Sequence, residues 1–198
     1  MTATTDLGPA ARQVARVLEA TGDKQLSAPT PCPQYRVRHL VGHLAGLSLA
    51  FRDAARKEFG PATDTDPGTA GMPEPEPGWR TSLPERLDRL AAAWRDPAAW
   101  EGMTRAGGVD LPGAVAGLVA LNELVVHGWD LARSIGREYD CDSASLTAVH
   151  GFLEGFEDSA RGDAFAPAVP VPAGASLLDR VIALSGRDPS WTAAGASR

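Results

Sequence analysis

The chain has 198 residues, 43% of them hydrophobic, with 19 basic and 25 acidic side chains and a formal net charge of -6. That length accommodates one domain with a sizeable core, and the acidic balance argues against a nucleic-acid partner, whose footprint is basic. No apolar run reaches the ~18 residues of a spanning helix, no basic cluster suits an anionic membrane, and Met1 to Asp6 carry no leader pattern, so the expectation is a cytoplasmic protein with no membrane partner.

In chain order, Leu7–Ala20 places Val14, Val17 and Leu18 among alanines at helical spacing, and Thr21-Gly22-Asp23 ends that helix. Ser27–Tyr35 holds Pro29, Pro31 and Pro33 and predicts an extended connector. Val37–Phe59 predicts a second long helix. Placed at 100° per residue, its apolar side chains centre roughly 80° from His43, so His43 flanks the core face and His39 turns about 40° further outward, toward Asp53 and Lys57. Residues 60–78 contain five prolines and several acids and predict a flexible loop. Ser82-Leu83-Pro84-Glu85 predicts the next helix start, with Ser82 as N-cap and Pro84 in the first turn. Trp100–Leu111 predicts a glycine-rich connector, and a long apolar helix follows from about Pro112 to Ile135, closed at Gly136. Asp142-Ser143 predicts a cap for a helix through Phe156. Phe165–Pro172 predicts an extended stretch and Ala175–Leu184 a last short helix.

No repeat and no alternating strand pattern is evident. The fold class is all-α: four long helices as a bundle plus a C-terminal extension. The expected organisation is a single domain, 1–198, with a bundle over 7–136 and an extension over 137–198 packed on it. Cys32 and Cys141 stand far apart, which in this setting predicts free thiols.

Chemistry concentrates in the long apolar helix. Glu123 and His127 are four residues apart and project from nearly the same side, one turn apart. An ionisable pair in the most hydrophobic helix costs several kcal/mol to bury unless something satisfies it. A metal ion is one satisfier and a plain hydrogen bond is another. His43, on the flank of the second helix, supplies a third donor from a facing helix. His43, Glu123 and His127 together give two nitrogens and one oxygen with a position left open, the pattern of a catalytic zinc site, and the set also suits Ni(II) or Fe(II). His39 forms an i,i+4 pair with His43, but its outward angle argues against a fourth ligand. Asp130 follows His127 by three residues and either orients it or pairs with Arg133 or another neighbour. His150 reads as structural or exposed, and Cys32 as a packed thiol rather than a reactive one.

Thr30-Pro31-Cys32-Pro33 followed by Val37-Arg38-His39-Leu40-Val41-Gly42-His43-Leu44 resembles the start of the mycothiol-dependent maleylpyruvate isomerase-like family, in the DinB-like superfamily. Glu123-Leu124-Val125-Val126-His127-Gly128-Trp129-Asp130-Leu131-Ala132 continues the likeness. Leu177-Leu178-Asp179-Arg180 and Gly186-Arg187-Asp188-Pro189-Ser190-Trp191 resemble the end of an actinobacterial subgroup of such metal-binding proteins. The resemblance implies a DinB-like four-helix bundle with one divalent metal held by His43, Glu123 and His127. It also implies mycothiol as cosubstrate, a thiol activated by the metal, and a small electrophilic substrate. The subgroup typically has an acidic residue where His39 stands. Two functional classes follow: a metal-dependent thiol S-transferase or isomerase, or a non-catalytic metal- or small-molecule-binding bundle. Either a monomer or a homodimer fits.

Overall fold

The structure is a computed structural model that describes residues 4–66, 68–69, 71–156 and 166–193; Met1, Pro67 and Phe165, on which expectations fell, lie outside these ranges. Its described helices are α1 (Gly8–Glu19), α2 (Val37–Arg56), α3 (Pro61–Asp64), α4 (Trp79–Ala93), α5 (Gly113–Ser134), α6 (Ser143–Glu154) and α7 (Leu177–Leu184). Two short strands, β1 (Met103–Ala106) and β2 (Val109–Pro112), pair antiparallel between α4 and α5.

Four helices carry the core. α1 and α2 each pack against both α4 and α5, which places α1 diagonally across from α2 and α4 across from α5. The inward side chains are those that the 3.6-residue period puts on one side: Val14, Leu18, Leu40, Leu44, Leu87, Leu90, Leu121 and Leu124 are all fully or almost fully buried. The expected all-α bundle is therefore the observed fold, with a small hairpin added. At one end Trp94 donates its indole N–H to Phe51 O at 3.0 Å, and Trp100 donates to Trp94 O at 2.8 Å. The two rings meet edge-on with centroids 5.2 Å apart. Gly117 makes room for them, since a Cβ there would lie 2.6 Å from the Trp100 ring.

α5 is long and apolar enough to cross a membrane by length and composition, contrary to the expectation that no run of that length exists; 72% of that window is buried inside the protein. It is the core helix of the bundle, which accounts for an apolar character on nearly every side.

Several expectations need correction. α2 ends at Arg56 rather than Phe59, because Lys57 adopts the left-handed conformation (φ 58°) and turns the chain, its ammonium bonding Glu101 O at 2.9 Å. The 60–78 segment is not simply a flexible loop. Thr63, in the short α3, is fully buried and its carbonyl accepts the Gly108 N–H at 2.8 Å. Further on, the backbone of Pro73 and Glu74 lies across α2 at Gly42, where a Cβ would sit 2.7 Å from it. α4 begins at Trp79, with Gly78 before it and Pro84 inside the helix rather than in its first turn. Tertiary anchoring overrides the proline signal here: Trp79 is buried, and Arg80 bonds Thr21 O at 2.7 Å and Asp23 Oδ1 at 2.6 Å. Finally, Trp100–Leu111 is not a plain connector. A 3₁₀ turn (Pro97–Trp100) leads into the hairpin, turned at Gly107 (φ 62°) and Gly108 (φ 77°). Two consecutive positive φ values suit the tight turns that match strand twist, and only glycine takes both without strain.

Beyond α5, Asp142 caps α6 as expected, accepting the Ser145 N–H at 2.9 Å. Ser176 caps α7 in the same way, accepting from Asp179 N at 3.0 Å. The segment after α7 returns to α5: Arg133 donates twice to Trp191 O, at 3.0 and 2.8 Å, and Gly186 packs against Ala166.

Candidate metal centre

α2 and α5 run antiparallel, with the Phe51 end of α2 and the Gly117 end of α5 meeting at the Trp94 ring. That register sets His43 opposite Glu123. His43 Nε2 lies 3.0 Å from Glu123 Oε2, and His127 Nε2 lies 3.2 Å from the same oxygen. One ligand atom from each of His43, Glu123 and His127 falls within 4.8 Å of the others, and no other such group of three occurs among the described residues. The imidazoles meet edge to face with centroids 4.8 Å apart. Two ring nitrogens thus point at one carboxylate oxygen from different helices.

The spacing fits a metal. Zn–N and Zn–O bonds of about 2.0–2.2 Å at tetrahedral angles separate ligand atoms by roughly 3.4 Å, close to the 3.0 and 3.2 Å found here. The tautomer fits too. His127 Nδ1 is 3.0 Å from Asp130 Oδ2, so Nδ1–H donates to that carboxylate, and Nε2 is the nitrogen that faces Glu123 and that a cation would take in exchange for its proton. Asp130 therefore orients His127 rather than pairing with Arg133, which is held by Trp191 O.

Asp130 is fully buried, and Arg187 from the segment after α7 reaches its Oδ2 at 3.3 Å. Asp130 Oδ1 and Arg187 Nε have no hydrogen-bond partner. The pair therefore neutralises charge without saturating its hydrogen bonds. Arg187 carries no local signal of this role in the sequence: it is 57 residues from Asp130.

The cluster shapes its own protonation. Burial opposes the charge on Glu123, but the His127 charge and the bonds to both imidazoles hold its carboxyl well below the usual range. Burial likewise opposes a charged His127, and Glu123 and Asp130 together raise it to about 9. Without metal, a proton on His127 offsets the two carboxylates, and that proton occupies the place where a cation would sit.

The neighbours divide clearly. His39 faces away from the cluster yet is buried, because the segment carrying Glu74 covers it. It stays out of the cluster: Nδ1 accepts the Arg36 N–H at 3.2 Å, closing the start of α2, and Nε2 lies 3.3 Å from Glu74 Oε1. The angle that separated His39 from His43 keeps it out of the cluster; what counting helix faces did not include is the strap that buries it. Tyr35, which sequence reasoning left unassigned, packs its ring 5.8 Å from that of His43. Cys32 and Cys141 are both free thiols. Burial pushes the Cys32 thiol up, so it stays protonated, as expected of a packed cysteine. His150 pairs with Glu154 on α6, away from the cluster.

The family model for the mycothiol maleylpyruvate isomerase N-terminal domain matches residues 7–132. The chain belongs to this family. Among solved structures, the mycothiol-dependent maleylpyruvate isomerase and a point mutant of it each align with a TM-score of 0.49 at 16% identity. Each alignment covers 74% of this chain and 66% of that one, so this family member spans just under two thirds of the isomerase's length. No curated protein matches the chain by sequence.

Asp130→Asn keeps the shape of the side chain and removes its charge. Carboxylates behind a ligating histidine raise its basicity, and their loss typically lowers metal affinity about 10–100-fold. The expected result is zinc affinity down by about tenfold or more, measured by competition with a chromophoric chelator. Unchanged affinity in a folded variant would show that Asp130 serves packing alone.

Proposed function

We propose that this chain holds one divalent metal ion at His43, Glu123 and His127 and uses it in thiol-dependent isomerase or transferase chemistry on a small electrophile. The observation that carries the reading is the convergence of three donors from two helices on one point, with His127 oriented through its Nδ1 by Asp130, in a member of this family. Zinc is the metal we propose. Nickel and iron are the alternatives that the same donor set admits.

When bound, the metal supplies a Lewis acid that lowers the pKa of a coordinated thiol, so that thiolate exists at neutral pH. The residues supply the rest. His43 and His127 present neutral nitrogens, Glu123 supplies one negative charge, and Asp130 fixes the His127 ring. Three protein ligands leave room for an exogenous sulfur. Neither Cys32 nor Tyr35 serves as the nucleophile in this reading, since burial raises both of their pKa values. Mycothiol is the thiol we propose as cosubstrate, on the strength of the family.

The test is consumption of an activated cis-alkene by zinc-loaded protein with and without mycothiol. The expected result is a mycothiol-dependent rate at least ~100-fold above that of the His127→Ala protein. Equal rates in the two proteins would reduce the reading to a metal-binding module without turnover.

A further inference from the structure

The turn that leads into α2 comes to the candidate metal centre at two points, and it is stiffly built. The buried Thr30 hydroxyl sits 2.8 Å from Cys32 O and 2.9 Å from Tyr35 O and accepts the Cys32 N–H at 3.1 Å. Tyr35 N–H closes the turn on Cys32 O at 2.9 Å, and a bridge pairs Pro29 with Arg36. Pro29, Pro31 and Pro33 restrict the remaining backbone freedom. At one point the Cys32 thiol lies near enough to Arg187, Asp130 and Glu123 to feel all three charges. At the other, the Tyr35 ring stands beside both histidines of α2, with its centroid 5.8 Å from that of His43 and 6.0 Å from that of His39. The turn therefore passes by the centre from its Asp130 side to its His43 side, while α2 and α5 supply the three donors.

Tyr35 is half-buried, and among the described residues no protein group bonds its hydroxyl. A phenol in such a place ordinarily finds a partner. Burial, then the neighbouring Cys32 and Glu123, push its pKa up, so the phenol keeps its proton and stands ready as a donor. Packing on the two imidazoles asks only for a ring, which phenylalanine would supply equally. The hydroxyl is what the fold does not account for.

We infer that Tyr35 is a binding residue for the exogenous thiol, its O–H donating a hydrogen bond to the sulfur that fills the open position beside His43 and Glu123. The inference deepens the metal reading above and rests on it. A hydrogen bond to an ionised acceptor is stronger than a neutral one, and a donor already held by a stiff turn costs no reorganisation when the ligand arrives. Tyr35 thus favours a thiolate over a neutral ligand at the same position.

The test compares the full chain as wild type and as Tyr35→Phe, both cobalt-loaded, with two probes. 2-Mercaptoethanol binds as a thiolate that accepts a hydrogen bond, and imidazole binds through its one lone pair and offers no acceptor. Sulfur-to-cobalt charge-transfer absorption reports the first, and the cobalt ligand-field bands report the second. Tyr35→Phe should weaken 2-mercaptoethanol about tenfold, the low end for a hydrogen bond to a charged group. The charge-transfer band should move to lower energy, because the sulfur lone pair loses a stabilising donor. Affinities for imidazole and for cobalt itself should stay within about twofold of wild type, since neither uses the hydroxyl. Equal thiol affinity in the two proteins overturns the inference, and so do equal losses for thiol and imidazole, which would make Tyr35 a packing residue. Failure of wild type to bind cobalt overturns the metal reading and this inference with it; cobalt binding without a selective effect of Tyr35→Phe overturns the inference alone.

Discussion

His43→Ala, Glu123→Ala and His127→Ala are each expected to lower zinc affinity by about a hundred- to a thousandfold. Structural zinc sites bind with roughly 10–16 kcal/mol. Shared over the four positions of a tetrahedral site, that is about 2.5–4 kcal/mol each, or roughly two to three decades per ligand. Competition against a chromophoric chelator reads the loss directly. A wild-type protein purified without a tag and lacking near-stoichiometric metal, with all three variants equally inert toward zinc, would sink the site. Saturation should also appear in the melt: zinc at 100 times Kd stabilises by ~2.7 kcal/mol, or roughly 8 °C for a chain of this size, and the alanine variants should show none of it.

Proton linkage gives that prediction a sign. His127 is raised to about 9 from an ordinary 6.5 when no metal is present. Its protonated form therefore contributes stability to the metal-free fold that is fully present below about pH 6.5 and lost as pH rises through about 9. A cation competes for the same nitrogen, so its binding releases that proton and apparent affinity rises about tenfold per pH unit between 7 and 8. Calorimetry in buffers of different ionisation enthalpy should find about one proton released at pH 7.5. A pH-independent affinity would show that His127 is not a ligand.

The second large effect concerns the fold. Trp94→Ala is expected to destabilise the chain by about 4 kcal/mol, lowering the melting temperature by roughly 12 °C. Trp94 is 1% exposed, packs against Trp100 and Gly117, and donates to Phe51 O. Alanine leaves a cavity the size of an indole and an apolar-flanked carbonyl without its donor, and Phe51 lies on the helix that carries His43. Urea unfolding measures the change. A loss under ~1 kcal/mol would mean that Trp100 collapses into the space and that the aromatic pair is redundant.

Sequence reasoning reached the bundle because its helices are long and regular enough for periodicity to speak. It reached Glu123 and His127 because their spacing is fixed by one helix, and His43 because a second helix has one core face. It missed what depends on contacts between distant segments. The start of α4 at Trp79 hangs on Arg80 reaching Thr21 and Asp23. The burial of His39 depends on a strap from 35 residues later, and the partner of Asp130 on an arginine in the C-terminal segment. The hairpin was legible in principle: Gly107-Gly108 between Ala106 and Val109 is a tight-turn signature, overlooked because the flanking strands are only four residues each.

The contact between Arg187 and Asp130 bears on more than packing. All three proposed ligands are encoded by the end of α5, yet the cation that balances Asp130 is encoded 57 residues further on. A chain ending at α5 would set the Asp130 carboxylate beside His127 with no guanidinium opposite it, leaving the His127 proton to balance it. The end of the chain thus acts on the candidate centre from a distance, so loss of the C-terminal segment is expected to change the basicity of His127 without touching any of the three proposed ligands.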